Sequence, residues 1–142
     1  MLTERYKVIY IRPGLYKTAD MVGDNQIEYS RLSTSALDDL SVLKAHPSVS
    51  IFQDLLKSKP RTSWNELQLR LHANCRHKIS VQGGSSILSS FFPGINLIYA
   101  ARGPERPNRQ YDFRWYPRLG NASIVPVHSY GLLINAAQEL FL

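Results

Sequence analysis

The chain has 142 residues, 44% of them apolar and 20% charged, with a formal net charge of +6. That composition excludes a disordered segment and suits one globular domain with its own core. The one cysteine, Cys75, excludes an internal disulfide framework and fits a reducing, intracellular setting, cytoplasmic or nuclear. The start, MLTERYKVIYIRPG, lacks the apolar run of a signal peptide, and no stretch has the roughly 18 apolar residues of a membrane span.

The charge is concentrated. Residues 61–118 carry nine basic and three acidic side chains, a net of 9 − 3 = +6. The remainder carries eight of each sign and nets zero. Such a patch attracts a polyanion: nucleic acid, an anionic membrane surface or an acidic protein.

Residues 5–12 alternate and are rich in β-formers, which predicts a strand with both faces partly covered. Pro13-Gly14 ends it. Ile27 and Tyr29 suggest a short partner strand. Thr34 or Ser35 is placed to cap a helix over 36–45, whose buried stripe is Leu37, Leu40 and Leu43. A second helix is expected at 49–58, on Ile51, Phe52, Leu55 and Leu56.

Residues 62–74 carry two patterns. Ser63-Trp64-Asn65-Glu66 matches a capping box, which predicts a helix. Leu67 to His72 alternates strictly, which predicts a strand. The strand is preferred here, because only a strand puts Leu67, Leu69 and Leu71 on one face. Residues 73–76 then become a hairpin loop leading into a strand at 77–82.

Gly83 to Ser86 reads as a mobile hinge, and Ile87 to Phe92 as a single helical turn. Ile95 to Ala101 is the most apolar run and reads as a central strand. Tyr111 to Tyr116 alternates and is expected as a strand. Tyr111, Phe113 and Trp115 would anchor it to the core, with Arg114 and Tyr116 exposed. Residues 123–128 form a last strand, which Pro126 confines to an edge or a bulge. Ser129 caps a final helix through Phe141. The expected fold is therefore α+β: a single domain, with a mainly antiparallel sheet and three helices packed on it.

The candidate site is the stretch Tyr99 to Arg118, with five arginines, five aromatic residues and three prolines. Arg102, Arg106 and Arg109 are placed to fork onto phosphates from a loop stiffened by Pro104 and Pro107. Arg114, Tyr116 and Arg118 extend that surface, and Arg70, Arg76 and Lys78 add a neighbouring basic tip. The expected function is non-enzymatic binding of a polyanion through residues 102–118, with RNA or single-stranded nucleic acid favoured. No cofactor is expected.

Two alternatives stand beside it. One is a self-associating structural protein of viral matrix or accessory type. Its basic face would meet a membrane or nucleoprotein, and the apolar helix 129–142 would join its copies. The other is a small metal-independent ribonuclease using His72, His77 or His128. His72, Cys75 and His77 have the chemistry of zinc ligands but not the spacing of a finger, and His46 or His128 would have to complete the set. Gln82 to Ser86 lacks the lysine of a phosphate-binding loop. Combinations such as Cys75 with His72, or Ser85 with His128 and Asp112, match no catalytic motif.

Overall fold

The computed structural model describes residues 2–13, 15, 38–101, 113 and 115–142. The chain is α+β, with seven helices and two small parallel sheets among those residues. The mainly antiparallel sheet with three helices is thereby corrected. The chain divides into two compact units, residues 1–67 and 68–142.

In the first unit, α1 (Leu2–Arg5) precedes β1 (Ile9–Tyr10), α2 (Asp39–Ala45), β2 (Ser50–Ile51) and α3 (Phe52–Lys57). The strand expected over 5–12 contracts to two residues. Arg5 belongs to a helical turn that Tyr6 closes through its N–H to Leu2. The partner expected at Ile27 and Tyr29 lies outside the described residues, as do Thr34 and Ser35. Asp38 caps α2, its carboxylate accepting from Ser41 N at 3.2 Å. The helix expected over 49–58 starts three residues late, because Ser50 and Ile51 pair in parallel with β1. Phe52 is fully buried and its ring meets Trp64 at 4.4 Å. In the same unit, the Tyr10 hydroxyl donates to Asp39 at 2.5 Å, and the Arg12 guanidinium pairs with the same carboxylate oxygen. Burial and the neighbouring carboxylate push the Tyr10 phenol up to about 12. Burial alone would raise the Asp39 carboxyl, but the Tyr10 and Arg12 hydrogen bonds outweigh it and hold the group low.

Residues 62–74 form a helix, α4 (Trp64–Asn74), not the preferred strand. The Ser63 hydroxyl accepts from Glu66 N at 3.2 Å, so the cap forms. Leu67 is buried, while Leu69, on the far side of the helix, is 46% exposed. One exposed leucine is the cost of choosing the helical period over the alternating one.

The second unit is built on β3 (His77–Val81), β4 (Gly94–Tyr99) and β5 (Ala122–Val127), in the order β3-β4-β5 and all parallel. The expected hairpin at 73–76 fails because a helix, not a strand, precedes β3. Helix α5 (Gly84–Ser90) carries the chain back to the amino end, so β4 pairs in parallel. The glycine-serine run thus begins a helix. Ser86, expected in a hinge, and Ser89 and Ser90, expected in a helical turn, are buried and return their hydroxyls to the carbonyls of Gly83, Ser85 and Ser86.

Strand β4 is central, with Asn96, Leu97 and Ile98 fully buried. Asn96 faces α5. Its amide nitrogen donates to Ser86 O at 3.0 Å and to Ser90 Oγ at 2.9 Å, and its oxygen accepts from Ser80 Oγ at 2.8 Å. Tyr99, an odd number of residues on, lies on the opposite face and stacks on Tyr130. That face is covered by α7 (Tyr130–Phe141), capped by Ser129 as expected. Leu133, Ala136, Ala137, Leu140 and Phe141 form its inner stripe. A short α6 (Pro117–Gly120) leads into β5, whose place at the sheet edge accords with Pro126.

Replacing Asn96 with leucine leaves the Ser80 and Ser90 hydroxyls and a buried carbonyl without that partner. The expected loss is about 3 kcal/mol of stability, measured by urea unfolding. An unchanged midpoint would show that the amide network does not hold α5 to the sheet.

Candidate nucleic-acid interface

Three chain segments meet at the amino ends of β3, β4 and β5. Ile95 N donates to Arg76 O at 2.8 Å, which joins the start of β3 to the start of β4. Gly94 has φ +113°, and a Cβ there would lie 2.2 Å from Arg76 O, so only glycine fits. Gly120 lies against the end of α5 so closely that a Cβ would sit 1.8 Å from Phe91 O. The backbones around Arg76, Phe91–Gly94 and Trp115–Gly120 are therefore held at one end of one sheet.

On this end, Arg76 and Arg118 are exposed, and Phe91 and Trp115 keep 49% and 44% of their surface in solvent. Arg118 N donates to Trp115 O at 3.0 Å, so the two residues lie one turn apart. Arg70 is exposed in the second half of α4, just before the same end. Glu139 is the one acidic side chain among the described residues of this unit.

Two expected contact residues are placed differently. Lys78 is 5% exposed, and its Nζ donates to Phe92 O at 3.1 Å and Pro93 O at 2.9 Å. Burial lowers its pKa, and the neighbouring Arg76 acts in the same direction. Lys78 braces the loop that carries Phe91 instead of meeting solvent. Tyr116 is 1% exposed, with the rings of Phe113 and Trp115 edge-on to it at 5.1 and 4.5 Å. The expected strand 111–116 is contradicted at Phe113, Trp115 and Tyr116, which form turns. In a turn the alternation lapses, so Tyr116 is buried and Trp115 exposed, the reverse of expectation. Arg102, Arg106, Arg109, Tyr111 and Arg114 lie outside the described residues.

Phe91 was not singled out by the sequence. Its signal is the pair Phe91-Phe92 at a helix end. Neighbouring residues there point about 100° apart, and Phe91 is the more exposed of the two.

Phe92 receives the His72 ring in a stack, 5.9 Å between centroids and 13° between planes. Burial, then the charge of Lys78, lowers the His72 pKa. Cys75 is exposed, and its thiol donates to His77 O at 2.9 Å. Among the described residues, no group of three or more His, Cys, Asp or Glu side chains is placed to hold a metal ion. No described helix is long and apolar enough to cross a membrane. In the first unit, an open groove of about 700 Å³ runs along α2 and α3, lined mainly by Leu40, Leu43, Val49, Ile51 and Leu55. It offers few groups for chemistry. The chain matches no protein-family model, no curated protein and no solved structure.

The lowered His72 pKa sets a pH dependence. The unfolded ring takes up a proton near pH 6.5, whereas the folded ring resists it. Stability present above that value is therefore lost as the pH falls through it. The melting temperature should drop between about pH 7.5 and about pH 5.5. His72→Phe, which keeps the stack on Phe92, should flatten the drop. An equally steep drop in that variant would assign it to another group.

Proposed function

We propose that the second unit binds single-stranded nucleic acid, RNA in the first instance, across the amino end of its parallel sheet. In this reading Arg76 and Arg118 contact phosphates, and Arg70 extends the track. Trp115 and Phe91 offer ring faces for unpaired bases. In the same reading the arginines at 102, 106, 109 and 114 add phosphate contacts through their charge. Lys78 and Tyr116 act from the interior, holding Phe91 and Trp115 in place. The setting is intracellular, with which a free, exposed thiol at Cys75 is compatible.

The observation that carries the reading is Trp115 beside Arg118, on a turn whose next residues touch the Phe91 loop. A half-exposed tryptophan flanked by arginine suits stacking on a base with phosphate contact alongside. Single strands expose base faces, whereas duplexes and lipid headgroups do not. That favours a single strand over the other polyanions that the charge alone would accept.

Fluorescence anisotropy with a labelled random single-stranded RNA, titrated over a range of salt, tests the proposal. Trp115→Ala should weaken binding by the worth of one stack, about 1–3 kcal/mol, or roughly 5- to 150-fold. Arg76→Ala with Arg118→Ala should instead lower the salt slope, by about 1.4 for two single-strand phosphates. Equal affinity of Trp115→Ala and wild type would remove the stacking role. Absence of binding at low salt would overturn the proposal and turn attention to anionic vesicles.

A further inference from the structure

The loop at 91–94 is held at three points. Lys78 Nζ donates to the carbonyls of Phe92 and Pro93. The far end of the loop is tied to Arg76, whose carbonyl accepts from Ile95 N and abuts Gly94. The third hold is the His72 ring, stacked on the Phe92 ring with 13° between the planes. The loop begins on the last bonds of α5, which are long: Phe91 N to Leu88 O at 3.2 Å and Phe92 N to Ser89 O at 3.4 Å. Phe91, the exposed ring of the candidate interface, is thus the chain neighbour of the residue on which His72 rests.

Imidazole is the side chain whose charge ordinarily changes between about pH 5 and about pH 8. A proton on His72 meets two opposing conditions. Where the ring sits, burial and then the Lys78 ammonium disfavour the charge. Lys78 is fixed, being 5% exposed and bonded to two carbonyls of the same loop. Outside the stack, a cation is favoured. His72 lies in the last turn of α4, where the helix dipole attracts positive charge. The neutral ring therefore stacks inward, and the charged ring turns out to water.

The surroundings of the stack hold few other ionisable groups. Helix α5 and residues 91–94 carry none. On β3, Lys78 is the charge on this face, since the His77 ring meets Phe141 on the other. Cys75 and Arg76, in the turn before β3, are exposed, as is Arg118 on α6. On α4 itself, Arg70 and Glu66 are two and six residues before His72 and point to other sides of the helix. Glu139 stands on α7, across the sheet.

We infer that His72 is an acid-operated catch on the loop at 91–94: when its ring takes up a proton it leaves Phe92, the loop loosens, and Phe91 no longer presents a fixed ring face to a single strand. The consequence for binding rests on the nucleic-acid reading; the movement of the ring does not. Acid then weakens binding. Simple electrostatics runs the other way, because an added positive charge near Arg76 would tighten the hold on phosphates.

Two measurements test this. In the RNA-free full chain, NMR follows the His72 ring and the Phe91 and Phe92 amides from about pH 7.5 to about pH 5.5. The nuclear Overhauser effect between the His72 and Phe92 rings should disappear over this range, and the two amides should shift with the same midpoint as the His72 ring. A ring-to-ring effect that persists after His72 has titrated would overturn the inference, whatever RNA does. Fluorescence anisotropy with a labelled random single-stranded RNA is then read at both pH values and one ionic strength, on folded protein. Affinity should fall in acid by at most the worth of one stack, roughly 5- to 150-fold. His72→Phe, which keeps a ring on Phe92, should lose the fall. Phe91→Ala should bind more weakly at the higher pH and also lose the fall. Affinity that is steady or rises in acid would overturn the inference, as would an equal fall in His72→Phe. Absence of binding at both pH values would remove the nucleic-acid reading alone, and the ring-to-ring measurement on the unaltered protein would still decide the catch.

Discussion

The second unit depends on one buried amide. Asn96 occupies the centre of the central strand with none of its surface in solvent, where an unsatisfied polar group would be costly. Ser80, Ser86 and Ser90 satisfy both its donor and acceptor functions. The same contacts fix the height and rotation of α5 on the sheet. On α5 the partners are the Ser86 carbonyl and the Ser90 hydroxyl, and an apolar helix of equal length would lack the second. A network of this kind is strong when complete and a liability when one member is missing.

Lys78 extends the principle to the neighbouring strand. It shares the Asn96 face, since the two are paired in the ladder. Its ammonium reaches the carbonyls that follow the carboxyl end of α5, where the helix dipole favours a cation. The loop so held presents Phe91, abuts Gly120 and receives Arg76 at Gly94. Two absent β-carbons therefore allow three loops to share one end of the sheet.

The edges follow from ladder parity. Pro126 sits where an N–H would face outward, so it costs β5 no hydrogen bond to β4 and closes that side to further pairing. Strand β3 turns its odd-numbered residues outward, with apolar, β-branched side chains at Ile79 and Val81. One proline thus makes the sheet one-sided, and the length of α7 sets how much of the open side it covers.

Local chemistry was legible in the residues. Ser129 pointed to the last helix, and INLIYAA to the central strand. Pro126 marked an edge, and the basic excess of residues 61–118 lay open to counting. These depend on neighbours a few positions apart, or on composition. What the tertiary structure decided depends on partners far along the chain. Strand direction is one such property, because the same alternation serves a parallel or an antiparallel neighbour, and only α5 between β3 and β4 chooses. The choice of helix at 64–74 is another: the capping box and the alternation were both legible, and the fold buries Leu67 and leaves Leu69 exposed. Charge counts Lys78 among surface residues, yet two backbone carbonyls hold it inside. Alternation hides Trp115 and exposes Tyr116, yet a turn reverses them, because its side chains do not alternate and the buried position falls to the ring the other two enclose.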